Sequence, residues 1–181
     1  MYYLTKNGNL IESSEIKYDL ELVAEPSSEI FDSWPPVGRK FENGSWIQKT
    51  NSEKTIDGEI SLPERIEALK LDIQAYLDQK LEEGVGFGIS IYQSREKDLL
   101  RMNNVLKKID LGGTWSGFWR DRSNNWQSLT AEELGRLAVT AGNYWESCFR
   151  KASRMIDELT SKNKTELANY DIESFWNSLS P

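Results

Sequence analysis

The longest apolar stripe in the sequence lies between Leu134 and Leu159. Its members recur at steps of three and four residues, which is the spacing of one face of an α-helix. They are Leu134, Leu137, Ala138, Ala141, Tyr144, Trp145, Cys148, Phe149, Ala152, Ile156 and Leu159. Thr130 and Glu133 precede the stripe at the spacing of a capping box. We therefore predict a helix of roughly thirty residues whose apolar side the rest of the chain must cover.

The residues before this helix predict the element that covers it. Residues 115–120 are aromatic and strand-like, and they return along 126–129 after a turn. Further upstream, apolar residues alternate along a predicted strand at 87–92, and a helix is predicted over Ser94–Ile109. These elements predict a C-terminal domain over residues 84–181, in the order β-α-β-β-α with one long final helix. One or two short helical turns after this helix are expected to fold back on it.

The first fifty residues predict a small β-rich module. Asn7-Gly8 and Asn43-Gly44 each stand between short strand-like runs, and Asn-Gly is the strongest short signal for a hairpin. Residues 51–61 are polar and predict a linker. The fold class is therefore predicted as α+β, with the β-rich module at 1–50, the linker, a connecting helix and the C-terminal domain.

The connecting helix is predicted over residues 62–83, behind a capping pair formed by Ser61 and Glu64. Its apolar residues are spaced as in a heptad repeat, and they are Leu62, Ile66, Leu69, Ile73 and Tyr76. Two interpretations stay open, because the same pattern is typical of an ordinary amphipathic helix and of a short coiled coil. The second predicts a homo-oligomer formed through residues 62–80.

Composition excludes several classes of function. The formal net charge is −7 with scattered Lys and Arg, which opposes nucleic-acid binding and attachment to an anionic membrane. No apolar run reaches the roughly twenty residues that span a bilayer, and we expect no secretory leader, because a basic and then apolar run is missing after Met1. Histidine is absent and Cys148 is the single cysteine, so a Ser-His-Asp site, a Cys-His site and a cysteine-based zinc site are excluded. We expect no cofactor and no metal.

The remaining candidates for catalysis each have a structural explanation. Ser94 and Lys97 could form a nucleophile pair, but they fit a helix start better. Glu132-Glu133 lies in the first turn of the long helix, where carboxylates favour the helix dipole. Asp121 belongs to a turn, and Asp157-Glu158 is expected to face solvent. We therefore predict that the protein is not an enzyme.

Seven tryptophans are many for 181 residues. Trp34, Trp46, Trp115 and Trp119 could stack on sugar rings, or they could fill small cores or a protein interface. We favour the second interpretation, because aromatic residues are enriched at interfaces. The candidate protein-binding residues are Trp34, Trp46, Trp115, Trp119, Leu62, Ile66, Leu69 and Ile73.

One combination of elements resembles a known family. It consists of the strand 87–92, the helix Ser94–Ile109, Phe118-Trp119-Arg120-Asp121, Asn125-Trp126, Leu129-Thr130-Ala131-Glu132-Glu133-Leu134 and the long helix. From about Leu62 to Trp176 it resembles an uncharacterised domain of bacteriophage and prophage tail proteins, found in tail-fibre and tail-fibre-assembly proteins. The element Gly44-Ser45-Trp46 is similar to the β-rich N-terminus of some assembly proteins. The helices carry more charge and fewer alanines than the family pattern, and the family has no agreed catalytic residues to carry over.

The resemblance implies a protein that binds the phage tail fibre without catalysis, as an assembly chaperone or a retained virion subunit. Its expected place is the host cytoplasm during assembly, and the virion tail if it is retained. The alternative is a structural tail-fibre or adaptor subunit whose tryptophans contact host surface glycans. A third hypothesis is a carboxylate-dependent glycan hydrolase.

Overall fold

The computed structural model describes residues 2–6, 9–14, 28–31, 38–42 and 45–180. The described strands are β1 Tyr2–Lys6, β2 Asn9–Ser14, β3 Ser28–Phe31, β4 Arg39–Glu42, β5 Ser45–Gln48, β6 Val85–Phe87, β7 Ser90–Tyr92, β8 Phe118–Arg120 and β9 Trp126–Ser128. The described helices are α1 Asn51–Asp57, α2 Leu62–Glu83, α3 Glu96–Asp110, α4 Ala131–Leu159, α5 Lys164–Ala168 and α6 Ile172–Ser178. Short antiparallel strand pairs beside helices make the fold α+β, as the sequence predicts.

The chain divides into two compact units. The first contains Met1–Arg65 and Asn163–Asn169, and the second contains Ile66–Lys162 and Tyr170–Pro181. Of the described helices, α1 and α5 belong to the first unit, and α3, α4 and α6 belong to the second.

Antiparallel strand pairs form the β part of the first unit. The order in its three-stranded sheet is β2-β1-β3, so the strands on either side of Asn7-Gly8 pair as the sequence predicts. Strands β4 and β5 pair on either side of Asn43-Gly44. Both Asn-Gly dipeptides lie outside the described residues.

Helix α1 lies within residues 51–61, where the sequence predicts a linker. Its start is fixed by a capping box in which the Thr50 hydroxyl accepts from the Glu53 N–H and the Glu53 carboxylate accepts from the Thr50 N–H. Gly58 ends the helix in the left-handed region, with φ 78°. The helix packs on α5 in the same unit. The polar composition of this stretch concealed a short helix whose caps, rather than an apolar stripe, define it.

Helix α4 spans 29 residues and starts behind the predicted Thr130–Glu133 capping box. Its buried face contributes Leu134, Leu137 and Ala141 to a core that also contains Tyr92, Met102 and Leu129. Cys148 lies further along the same helix with only 4% of its surface exposed, and burial raises the pKa of its thiol.

The middle and the C-terminal part of the apolar face of α2 are buried. Leu69 and Ile73 are 1% and 0% exposed, and Leu77 and Leu81 continue the same buried face. This burial favours an ordinary helix lying on the core over a coiled coil through Leu69 and Ile73, and the homo-oligomer through residues 62–80 stays a prediction. The tyrosine hydroxyl of Tyr144 on α4 donates to the Lys80 carbonyl at 3.1 Å, which ties the two helices together.

The predicted single strand at 87–92 is instead a tight hairpin of β6 and β7, in which Phe87 pairs with Ser90. Gly88 makes the turn with φ 60°, and Ile89 at its tip is fully exposed. Before the hairpin, Gly84 has φ 78°, and a Cβ there would lie 2.2 Å from the Tyr92 carbonyl oxygen. The sequence pattern missed the turn because Phe87, Ile89 and Ile91 alternate across it.

The predicted helix start at Ser94 is also corrected. The N-cap residue is Arg95, without a side-chain cap bond, and the helix begins at Glu96. Ser94 is fully buried, and its N–H donates to the Leu81 carbonyl at 3.0 Å. The serine therefore belongs to the connection from β7 rather than to the cap.

Candidate functional site

The β8–β9 hairpin has two faces because side chains alternate along a strand. Its register pairs Phe118 with Ser128, Trp119 with Gln127 and Arg120 with Trp126. Trp119 is half-buried against the core, whereas Phe118 and Trp126 are 51% and 61% exposed. We call Phe118, Arg120 and Trp126 the hairpin outer face.

The predicted binding tryptophans of this region face the core. Trp115 and Trp119 are half-buried against the core cluster, with ring centroids 6.3 Å apart. The indole N–H of Trp115 donates to the Leu129 carbonyl at 2.8 Å, immediately before the cap of α4. These two indoles therefore pack the hairpin region against the core cluster.

The other predicted binding residues are scattered. Trp34 lies outside the described residues, and only the backbone of Trp46 is described, in β5. Leu62 is 39% exposed and Ile66 is half-buried, while the next two residues of the seam are buried in the core. The structure brings together Trp115 with Trp119, but it does not bring the predicted set into one exposed surface. The exposed aromatic residues Phe118 and Trp126 were missed, and the signal that points to them is strand alternation around the buried Trp119.

The turn of this hairpin is held by side-chain hydrogen bonds. Asp121 accepts from the Asn125 N–H at 2.9 Å and from the Gln127 amide at 2.7 Å. The backbone hydrogen bond from Asn125 has the largest effect on Asp121, and together with the amide of Gln127 it lowers the pKa of this carboxyl against the opposing effect of desolvation. Arg120 donates to the Asn124 side-chain oxygen at 2.7 Å. The turn therefore holds Arg120 in place.

A pocket of about 510 Å³ opens beside the hairpin. Four arginines and two aspartates line it together with the hairpin indoles, and they are Arg95, Arg101, Arg120, Arg122, Asp98 and Asp121. We call this the arginine pocket. Its excess of cations contrasts with the formal charge of −7 for the whole chain.

A second surface lies between α2 and α4. It is a groove of about 420 Å³ whose apolar lining consists of Leu77, Leu81, Trp145 and Phe149. The rings of Trp145 and Phe149 are stacked with centroids 5.2 Å apart, and Phe149 is 49% exposed. Charged side chains of both signs line the rest of the groove.

The residues considered for catalysis are placed as follows. The Ser94 hydroxyl is buried without a hydrogen-bond partner, and Lys97 is exposed. Glu133 serves the cap of α4, where hydrogen bonds from Thr130 lower the pKa of its carboxyl. Glu158 lies within 4 Å of Arg154 and Lys162. Across the described ranges, no cluster of three side chains could hold a metal ion.

None of the helices that the structure describes combines the length and apolar character that a membrane-spanning segment requires.

Most of the second unit matches a known family model. Residues 64–174 match the model of a domain of unknown function, DUF4376, over more than half of the chain. The chain belongs to the DUF4376 family. The DUF4376 match contains the hairpin outer face, the arginine pocket and all of α4. No curated protein and no solved structure matches the chain.

Proposed function

We propose that this DUF4376 protein binds a bacteriophage tail fibre through the hairpin outer face, without catalysis. It acts as an assembly chaperone in the host cytoplasm or as a subunit retained in the virion tail. The observation that carries the proposal is the exposure of Phe118 and Trp126 on either side of Arg120. Tryptophan and arginine are enriched among the residues that dominate binding energy at protein interfaces. The same residues belong to the pattern that resembles tail-fibre-associated proteins.

Exposed apolar side chains and a turn held by hydrogen bonds both favour binding of a protein partner at the hairpin. Burying a large apolar side chain contributes about 1.5–3 kcal/mol, so Phe118 and Trp126 could supply much of the affinity of a standard interface. The turn is held by Asp121 and Asn124 before any partner arrives. A surface that is ordered in advance loses less conformational entropy on binding.

The test is co-expression with a bacteriophage tail-fibre protein from the same genome. We expect the two chains to purify as a complex, and we expect Phe118→Ala with Trp126→Ala to weaken it strongly. Val139→Ala is the control, because Val139 is a 63% exposed apolar residue on α4, away from the hairpin in sequence. Separate purification of the two chains, together with a fibre that folds normally alone, would contradict the proposal.

A structural adaptor that contacts host surface glycans is the second candidate. The observation that favours it is a pocket in which Trp119 and Trp126 lie beside arginines and polar side chains, as in a site for acidic sugars. A glycan array separates the two functions, because a pure assembly factor gives no sugar signal. Binding on the array that Trp126→Ala abolishes would favour the adaptor.

A further inference from the structure

We propose that the arginine pocket binds an acidic segment of the partner protein, with carboxylates that pair with Arg101 and Arg122. This proposal rests on the proposed function, from which it takes the assumption that the molecule bound in the pocket is a protein. Recognition beside the hairpin outer face would then consist of ion pairs between carboxylates of the partner and arginines of the pocket. Binding of an acidic segment depends on which charges in the pocket are already paired.

Asp98 is paired with Arg95. The Arg95 Nε donates to an Asp98 oxygen at 2.7 Å, and the carboxylate side chain is only 12% exposed. Arg101 reaches the same carboxylate only at 4.0 Å, and its side chain is 70% exposed. Arg95 also lies 3.1 Å from a Glu82 oxygen, so its charge is compensated, whereas the guanidinium of Arg101 stays largely open to solvent.

Asp121 lines the same pocket but forms no ion pair with its arginines. Both of its oxygens accept from amides, one of the Asn125 backbone and one of the Gln127 side chain. Arg120 donates to the neutral amide of Asn124 and lies over Trp126. The hairpin thus satisfies its hydrogen bonds without forming an ion pair to Arg120.

Arg122 contributes a third cation. Its backbone N–H donates to the Ile91 carbonyl at 2.7 Å, which fixes the position of the residue beside β7. Within the part of the chain that the structure describes, its guanidinium makes no hydrogen bond or ion pair. The nearby acidic group is Glu83, whose pKa is lowered mainly by Lys80 and to a smaller extent by the charge of Arg122. Glu83 is already paired with Lys80 at 2.8 Å. Arginine pairs strongly with carboxylates because its planar fork can donate two parallel hydrogen bonds.

The surface next to the pocket indicates a polypeptide rather than a small anion. Ser116, Phe118 and Trp126 line a shallow apolar depression of about 390 Å³, and Trp126 also lines the arginine pocket. An occupant that fills both sites needs carboxylates and an apolar group a short distance apart. A peptide segment with acidic and apolar side chains provides both. The whole chain carries a net charge of −7, so the attraction between the pocket and an acidic peptide is local. Because the arginines are exposed, added salt weakens this attraction.

The test uses a fluorescein-labelled, blocked hexapeptide of alternating Glu and Leu, with a Gln-Leu peptide as the matched neutral probe. Fluorescence anisotropy at low salt is expected to show binding of the Glu-Leu peptide only. Arg101→Gln with Arg122→Gln is expected to weaken binding about tenfold, the effect of losing two exposed ion pairs. The control is Arg150→Gln with Arg154→Gln on α4, which removes the same charge from arginines paired with Glu146 and Glu158.

Equal binding of the two peptides, no binding of either, or equal loss in the control variant would overturn the inference. An oligogalacturonate that binds through Arg101 and Arg122, while the Glu-Leu peptide does not bind, would assign the pocket to an acidic glycan instead.

The same variants separate this inference from the proposed function. If the Glu-Leu peptide binds through Arg101 and Arg122 but no fibre co-purifies, the pocket assignment stands and the fibre proposal fails. If a fibre complex forms and the peptide does not bind, the fibre proposal stands and this inference fails.

Discussion

Arg120 lies over the indole ring of Trp126, with its guanidinium carbon 4.5 Å from the ring centroid. The two residues are direct partners in the register of β8 and β9. Such a cation–π contact at an exposed site contributes about 0.5–1 kcal/mol. The contact therefore orders a large exposed aromatic side chain without burying it.

The two faces of the hairpin predict different costs in stability for removing an indole. Trp126→Ala is expected to cost about 0.5–1 kcal/mol of the free energy of unfolding, because it removes the contact with Arg120 and little burial. Trp119→Ala is expected to cost about 2–3 kcal/mol, because Trp119 packs on the core. Urea denaturation measures both. Equal costs for the two variants would contradict the assignment of the faces.

The burial of the α2 seam predicts that its central residues stabilise a single chain. Ile73→Ala is expected to lower the free energy of unfolding by about 2–5 kcal/mol while the mass in solution stays the same. Leu71→Ala is the control on the same helix, because Leu71 is 72% exposed. Denaturation gives the stability, and light scattering gives the mass. A wild-type oligomer that Ile73→Ala dissociates would restore the coiled-coil interpretation.

The cap of α4 predicts a contrast between two threonines of one helix. Thr130→Ala removes the acceptor for the Glu133 N–H and is expected to cost about 1 kcal/mol in thermal denaturation. The Thr140 hydroxyl donates to the Arg136 carbonyl at 2.9 Å, a bond within the helix that adds little stability. Thr140→Ala is therefore expected to leave the melting temperature unchanged or slightly raised. The prediction fails if both variants melt alike.

Tyr170 predicts a loss of stability in alkaline solution. Burial, with a smaller effect of Glu158, raises the pKa of Tyr170 to about 12 from an ordinary value of 10.0. Because the folded pKa is the higher one, the contribution of Tyr170 is complete below pH 10 and is lost as the pH rises towards about 12. In Tyr170→Phe, the free energy of unfolding should fall less steeply than in the wild type over this window. Tyr144→Phe is the second variant, and comparing the two at neutral pH gives the effect of losing each hydroxyl before either phenol ionises.

At neutral pH the two tyrosine variants should differ. The Tyr170 hydroxyl is buried without a partner, so Tyr170→Phe is expected to be neutral or stabilising. The Tyr144 hydroxyl donates to Lys80, so Tyr144→Phe is expected to cost about 0.5–1.5 kcal/mol. Urea denaturation at pH 7, 10 and 11 provides all these comparisons. A wild-type slope reproduced by Tyr170→Phe would show that this phenol does not titrate as described.

The long helix and its start were predictable from the sequence because two independent signals coincide there. An apolar stripe at helical spacing follows the Thr130–Glu133 capping box, and the structure places α4 directly behind it. Helix α1 has only the second kind of signal, a capping box at Thr50 and Glu53 in a polar stretch. A short helix without an apolar stripe looks like a linker in sequence.

The binding surface was less predictable for a related reason. Strand alternation shows that Trp119 and its neighbours Phe118 and Arg120 point to opposite faces of the hairpin. Both faces carry aromatic residues, so composition does not decide which face is buried. The decision depends on the packing of Trp119 against α4 and the rest of the core, which is a long-range contact. The arginine pocket likewise depends on residues from α3 and the hairpin that meet only in the folded chain.

The single thiol of this protein has a practical consequence. Cys148 is 4% exposed, and burial raises its pKa, so we expect it to react slowly with maleimides at neutral pH. Ser128→Cys, at an exposed position opposite Phe118, would then be the preferred attachment point for one dye. Because the native thiol would take up little dye, the fluorescence of a dye at position 128 would report partner binding at the hairpin.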